Sequence, residues 1–147
     1  MPRARRHRTI GAPAENVWKV VSDPDHLPRW WPGVERVEEA SRDSWTQVFR
    51  SKRGKTMRAD FTLVESEPLR LLRWRQEVES TPFERFLAES VTEVRLEPEG
   101  GNGATRVELA SSQRMRGLAR LGSPLVRGAT AKRLDEALEG LDAIVGR

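Results

Sequence analysis

A chain of 147 residues with 37% hydrophobic and 33% charged side chains has the size of one domain, taken here as 1–147, polar yet able to close a core. It holds no Cys, no Tyr and only two histidines, His7 and His26, which excludes disulfides, thiolate nucleophiles, iron–sulfur ligation, cysteine-based zinc sites and a histidine-rich metal centre; no metal or other cofactor is expected. The net charge of +4 and pI near 10.3 would suit a nucleic-acid binder, but four Arg lie within residues 1–10, a net +3 lies within 114–147, and 11–113 carries −3.

The positive excess therefore belongs to the two ends. No helix-turn-helix, zinc finger or RNA-binding aromatic motif accompanies it, so no nucleic-acid partner is expected. The N-terminal residues lack the apolar core of a secretory signal, and no stretch approaches the ~20 apolar residues that span a bilayer. A cytoplasmic location follows as the default.

In chain order, residues 3–11 can supply a first strand. Pro13 opens a helix in which Val17, Trp18, Val20 and Val21 fall at helical spacing. Ser22, Asp23 and Pro24 end it. Residues 25–31 then make a second short helical piece, stopped by Pro32 and Gly33.

From Val34 the period changes to two, with turn residues at 41–44, 51–54, 65–68, 80–82 and 98–103. The runs between them, 34–41, 44–50, 55–65, 69–79, 86–97 and 104–115, predict six strands paired as an antiparallel meander. After Met115 the period returns to 3.6: Leu118, Leu121, Leu125, Ala129, Leu134, Leu138, Leu141 and Val145 are read as one apolar stripe. That predicts a helix of about 28 residues, ~42 Å long, which Pro124 and Gly128 bend or break.

These elements make an α+β fold: a curved antiparallel sheet of about seven strands wrapped around a long C-terminal helix, with two short helices after the first strand. Sheet and helix cannot close perfectly along their length, and the space between them is where a ligand is expected. Alternation places Met57, Ala59, Phe61 and Leu63 on the inner face of one strand, and Leu72, Trp74, Gln76 and Val78 on that of the next. Phe86, Ala88, Ser90, Thr92, Val94 and Leu96 follow, then Val107, Leu109, Ser111, Gln113 and Met115; in 44–50 the inner set is Trp45, Gln47 and Phe49.

This inner wall is apolar with a few neutral polar groups, the composition of a ligand pocket. A buried amide or hydroxyl without a partner costs about 1–3 kcal/mol. Gln76, Ser90, Thr92, Ser111 and Gln113 must then bond neighbouring backbone, water or a ligand. Of the adjacent Trp30 and Trp31, one can pack inward while the other lies at the rim; Trp74 sits mid-face. All three suit either core packing or a flat lining for a ring-bearing or acyl ligand. His26 suits a surface or capping role, His7 is solvated, and Asp60, Glu89 and Glu93 reach the interior only if a bulge reverses their phase.

Two segments, Ala12-Pro-Ala-Glu-Asn-Val-Trp18 and Asp23-Pro-Asp-His-Leu-Pro-Arg-Trp-Trp-Pro-Gly-Val34, resemble the opening of the SRPBCC superfamily, the START-like group that includes polyketide cyclases and dehydrases. The resemblance extends over nearly the whole chain. It implies the helix-grip fold and a deep cavity for lipids, polyketides, quinones or other hydrophobic molecules, and it carries over no catalytic motif.

The expectation is a protein that binds a hydrophobic small molecule, lipid, polyketide or aromatic and quinone-like, through Trp30, Trp31, Met57, Phe61, Trp74, Gln76, Ser90, Gln113, Leu121 and Leu125. An inner wall without Tyr or an inward charge suits holding more than reacting. The alternative is a cyclase or dehydrase acting on a poly-keto or aromatic substrate, with proton transfer through water, His26 or a strand carboxylate. A third reading is an interaction module whose Arg-rich ends dock an acidic partner or make weak contact with an anionic membrane, as in lipid transfer. The sequence is compatible with a monomer or a homodimer.

Overall fold

The structure, a computed structural model, describes residues 3–50, 53–79, 81–101 and 103–146. Seven strands, β1 (Arg3–Ile10), β2 (Val34–Glu38), β3 (Ser44–Arg50), β4 (Thr56–Glu67), β5 (Leu71–Glu77), β6 (Leu87–Glu99) and β7 (Ala104–Met115), form one antiparallel sheet in the order β1-β7-β6-β5-β4-β3-β2. β2 to β7 are the expected meander, and β1 closes its far edge by pairing with β7 from Arg3↔Ser112 to Ile10↔Thr105. Thr105, fully buried, donates its hydroxyl to the Ala12 carbonyl at 2.7 Å and fixes the turn that leaves β1.

α1 (Ala14–Val21) starts directly after Pro13, whose fixed φ of −67° suits a residue bordering a first turn. A 3-10 turn at Pro24–His26, capped by the Asp23 carboxylate on the Asp25 N–H, leads into the single-turn α2 (Leu27–Trp30). Gly33, at φ +84°, reverses the chain into β2, a conformation open to glycine without strain. The long helix α3 (Ser123–Val145) follows a 3-10 segment at Gly117–Gly122; Pro124 falls in its first turn, and Gly128 does not interrupt it. No helix among the described residues is long and apolar enough to cross a membrane.

The core lies between the inner face of the sheet and the helices: Ile10, Val94, Val107 and Leu109 from the strands, Val17 from α1, and Leu134, Ala137, Leu138 and Leu141 from α3. α3 packs closely on α2 because Gly140 carries no side chain; a Cβ there would stand 2.7 Å from the Trp30 carbonyl oxygen. Two arginines of β1 hold the helix from outside, Arg8 to Asp142 at 2.8 Å and Arg6 to Asp135 at 3.6 Å, while Arg5 pairs with Glu108 of β7 at 3.4 Å. Much of the N-terminal positive charge is thus engaged within the fold.

Two expectations require correction. The leucines of the C-terminal segment do not form one stripe: Leu121 and Leu125 are each 81% exposed, whereas Leu134, Leu138 and Leu141 are buried. Leu125 stands nine residues before Leu134, about 180° round the helix, and Leu121 precedes α3, in the 3-10 segment Gly117–Gly122. The Leu118 side chain lies outside the described residues. At the start of β6 a register shift between Leu87 and Glu89 buries Leu87 and leaves Phe86 44% exposed, reversing the phase expected there.

The outer face is a lattice of cross-strand charge. Val48, on that face, is nevertheless fully covered, because its neighbours Arg36 and Arg58 both reach Glu38 over it, at 2.8 and 3.2 Å. The hydrogen bonds from Arg36 and Arg58 hold the Glu38 carboxyl below the usual carboxylate range. Glu77 is likewise held low, first by the Thr62 hydroxyl that donates to it at 2.8 Å and then by Arg75.

Candidate functional site

A cavity of about 380 Å³ opens between the inner face of the sheet and α3. Its floor follows from strand pairing. Trp74 of β5 lies opposite Thr92 of β6, which lies opposite Ser111 of β7; one inner position along, Ser90 faces Gln113 and Phe61 faces Gln76. Alternation on adjacent strands thus brings five neutral polar side chains together among aromatic rings. β3 adds Gln47, Phe49 and Arg50, the link after α2 adds Trp31, Pro32, Gly33 and Val34, and α3 closes the cavity with Ala129, Thr130, Arg133 and Leu134.

The aromatic side chains form a connected series. Trp30 meets Trp31 edge-on at 5.4 Å between ring centroids, Trp31 meets Trp74 at 6.1 Å, Trp74 meets Trp45 at 5.9 Å, and Trp45 stacks on Phe61 at 6.1 Å with planes 11° apart. Trp30 and Trp31 diverge because Trp30 is the last helical residue of α2, whereas Trp31 is extended at φ −87°, ψ 125°. Trp30, 3% exposed, turns under α3; Trp31 turns to the cavity.

None of Gln76, Ser90, Thr92, Ser111 and Gln113 makes a side-chain hydrogen bond among the described residues, and the Nε2 of Gln76 is fully buried without a partner. A hydroxyl or amide on a strand bonds neighbouring backbone where it can. Here the backbone is committed to the ladder, and the side chains point at open space.

Of the residues singled out in the sequence, Trp31, Phe61, Trp74, Gln76, Ser90 and Gln113 line this cavity together. Trp30 does not, being core. Met57 is half-buried opposite Phe49, beyond the end of the wall; Leu125 is on the surface because it faces away from Leu134 on α3, and Leu121 is on the surface in the 3-10 segment before that helix. The wall also contains residues that the sequence did not single out as a site: Gln47, Thr130, Arg50 and Arg133 among them. A helical wheel anchored on Leu134, Leu138 and Leu141 alone would have found Thr130, four residues before Leu134.

Asp60, Glu89 and Glu93 stay outside, bonded to Thr46, Arg114 and to Arg73 and Arg95 respectively. His26 sits between Arg29, 3.0 Å from its Nδ1, and Asp23, 3.7 Å from its Nε2, away from the wall. No group of three or more His, Asp or Glu able to hold a metal occurs among the described residues. The charged groups of the wall are two guanidiniums, those of Arg50 and Arg133. A second, shallower cleft of about 470 Å³ lies behind Trp31–Val34, shares Arg50 with the first, and is edged by Arg29, Glu35 and Glu136.

The family model described as polyketide cyclase/dehydrase and lipid transport matches residues 1–146. No curated protein matches in sequence. Among solved structures, a START superfamily protein from Mycobacterium smegmatis superposes with a TM-score of 0.80 at 12% identity, covering 99% of this chain and 97% of its own. TTHA0849 from Thermus thermophilus gives 0.74 at 24% identity, over 97% and 95%. The di-domain ARO/CYC BexL of the BE-7585A biosynthetic pathway gives 0.77 at 21% identity; 97% of this chain is covered but only 46% of BexL.

Proposed function

Because the chain belongs to the polyketide cyclase/dehydrase and lipid transport family, we propose that it binds a hydrophobic small molecule, a lipid, polyketide or aromatic and quinone-like compound, between the sheet and α3, as one cytoplasmic ligand-binding domain. The observation that carries this is the buried, unpartnered Nε2 of Gln76 at a wall shared with Trp31, Phe61 and Trp74. A buried donor left unbonded costs about 1–3 kcal/mol, which a ligand acceptor returns. The volume of about 380 Å³ lies in the range of small-molecule sites, and aromatic walls with few oriented polar groups are their usual make-up.

Binding without chemistry is favoured over a cyclase or dehydrase. General acid–base catalysis needs a group of suitable pKa within hydrogen-bond reach of the substrate, and this wall has Arg50 and Arg133 in place of His, Asp or Glu. Titration of tryptophan fluorescence with acyl, quinone and polycyclic compounds tests the proposal, since Trp31 and Trp74 border the cavity. A saturable change with at least one class is expected, together with a co-purifying small molecule in native mass spectrometry. No response to any class and no bound mass would overturn it.

A further inference from the structure

Among the described residues, the wall of the cavity holds no carboxylate, although the chain has 22 acidic residues, and it holds two arginines, Arg50 from β3 and Arg133 from α3. Their situations differ. Arg50 is bonded to Glu35 at 3.3 Å. Arg133, an exposed residue of α3, has no ion-pair partner among the described residues, and unlike Arg127 of the same helix it borders the cavity. A guanidinium left without a carboxylate at the border of a half-enclosed space lined by aromatic rings, on a wall that has no acid of its own, marks a place for an outside anion. The polar groups deeper in add the Gln76 N–H as an open donor.

Resting on the binding function above, we infer that the ligand is an amphipathic anion: its apolar body lies against Trp31, Phe61 and Trp74, and its single negative group meets Arg133, with Arg50 adding positive potential across the mouth. A guanidinium offers paired N–H donors to a carboxylate or sulfonate, and because Arg133 is exposed, that bond is open to screening by salt.

Two probes with the same aromatic skeleton test this. 1-Anilinonaphthalene-8-sulfonate carries the anion, and N-phenyl-1-naphthylamine lacks it. The sulfonate is expected to bind about tenfold more tightly, with an affinity that falls as salt rises. Arg133→Gln should remove about tenfold of sulfonate affinity and leave the naphthylamine unchanged, Arg133→Lys should keep most of it, and Arg50→Gln should cost less because Arg50 is already shared with Glu35. Arg127→Gln, on the same helix but off the wall, removes equal charge and should change neither probe. Equal affinity of the two probes, or equal effects of the Arg127 and Arg133 variants, would overturn the assignment of charge while leaving cavity binding intact. Binding of neither probe would overturn the assignment of charge, and would overturn cavity binding too if no other class of compound responds and no mass co-purifies.

Discussion

Gln76 combines two demands that ordinarily conflict, because its Cα is opposite Phe61 in the ladder while its amide nitrogen is buried with nothing to bond. Replacing it by leucine keeps the volume and removes the desolvated amide. Gln76→Leu should therefore leave the free protein as stable or more stable, by up to about 1–3 kcal/mol in urea unfolding, and should weaken a ligand with a polar group near that position. A loss of stability instead would mean that the amide has a partner. Gln76, Ser90 and Gln113 were legible in the sequence because a strand has only two faces, and one charged position settles which is which. Arg133 was not, because its significance comes from Arg50 and the rings of another layer, some eighty residues away in the chain.

At the scale of elements, the seating of α3 on α2 depends on one missing side chain. A Cβ at Gly140 would come within 2.7 Å of the Trp30 carbonyl oxygen and 3.1 Å of its Cα, both backbone atoms that cannot move aside as a flexible side chain does. Gly140→Ala should cost about 1–3 kcal/mol and, by displacing the Trp30–Trp31 pair, weaken ligand binding as well. Gly128 is the internal comparison: on the same helix, with nothing near its Cβ position, Gly128→Ala should stabilise by about 0.5–1 kcal/mol through helix propensity alone. Urea midpoints of the two variants should move in opposite directions; parallel shifts would refute the packing argument. The order and pairing of the strands could be read from a period of two and short turns, and the short helices from Pro13, Pro24 and Pro32. The inward face of α3 could not, since Leu125 and Leu134, on opposite sides of the helix, are alike in composition, and the bulge at Leu87 left no mark in a run where apolar residues occupy both phases.

For the whole molecule, the outer lattice of charge ties neighbouring strands where the inner face, being partly hollow, packs less. Glu38 and Glu77 have carboxyls held below the ordinary value, so the folded protein binds those protons less readily than the unfolded chain does. Their contribution is complete above the unfolded carboxylate range of about 4.3–4.5 and is lost as pH falls through the lower folded values. The thermal midpoint should accordingly decline below about pH 4.5, and less steeply in a Glu38→Gln, Glu77→Gln double variant; equal slopes in the two proteins would remove these carboxylates as the cause. The pairing of β1 with β7, and the grip of Arg6 and Arg8 on α3, has a consequence in time. Strands about a hundred residues apart must meet before the sheet has its far edge, and α3 can close the cavity only after that docking, which makes such a fold slow to complete. A bound molecule then finds its site only in the finished protein, so cargo should act as a late lock, prolonging the life of the native state against unfolding while leaving the speed of folding almost untouched.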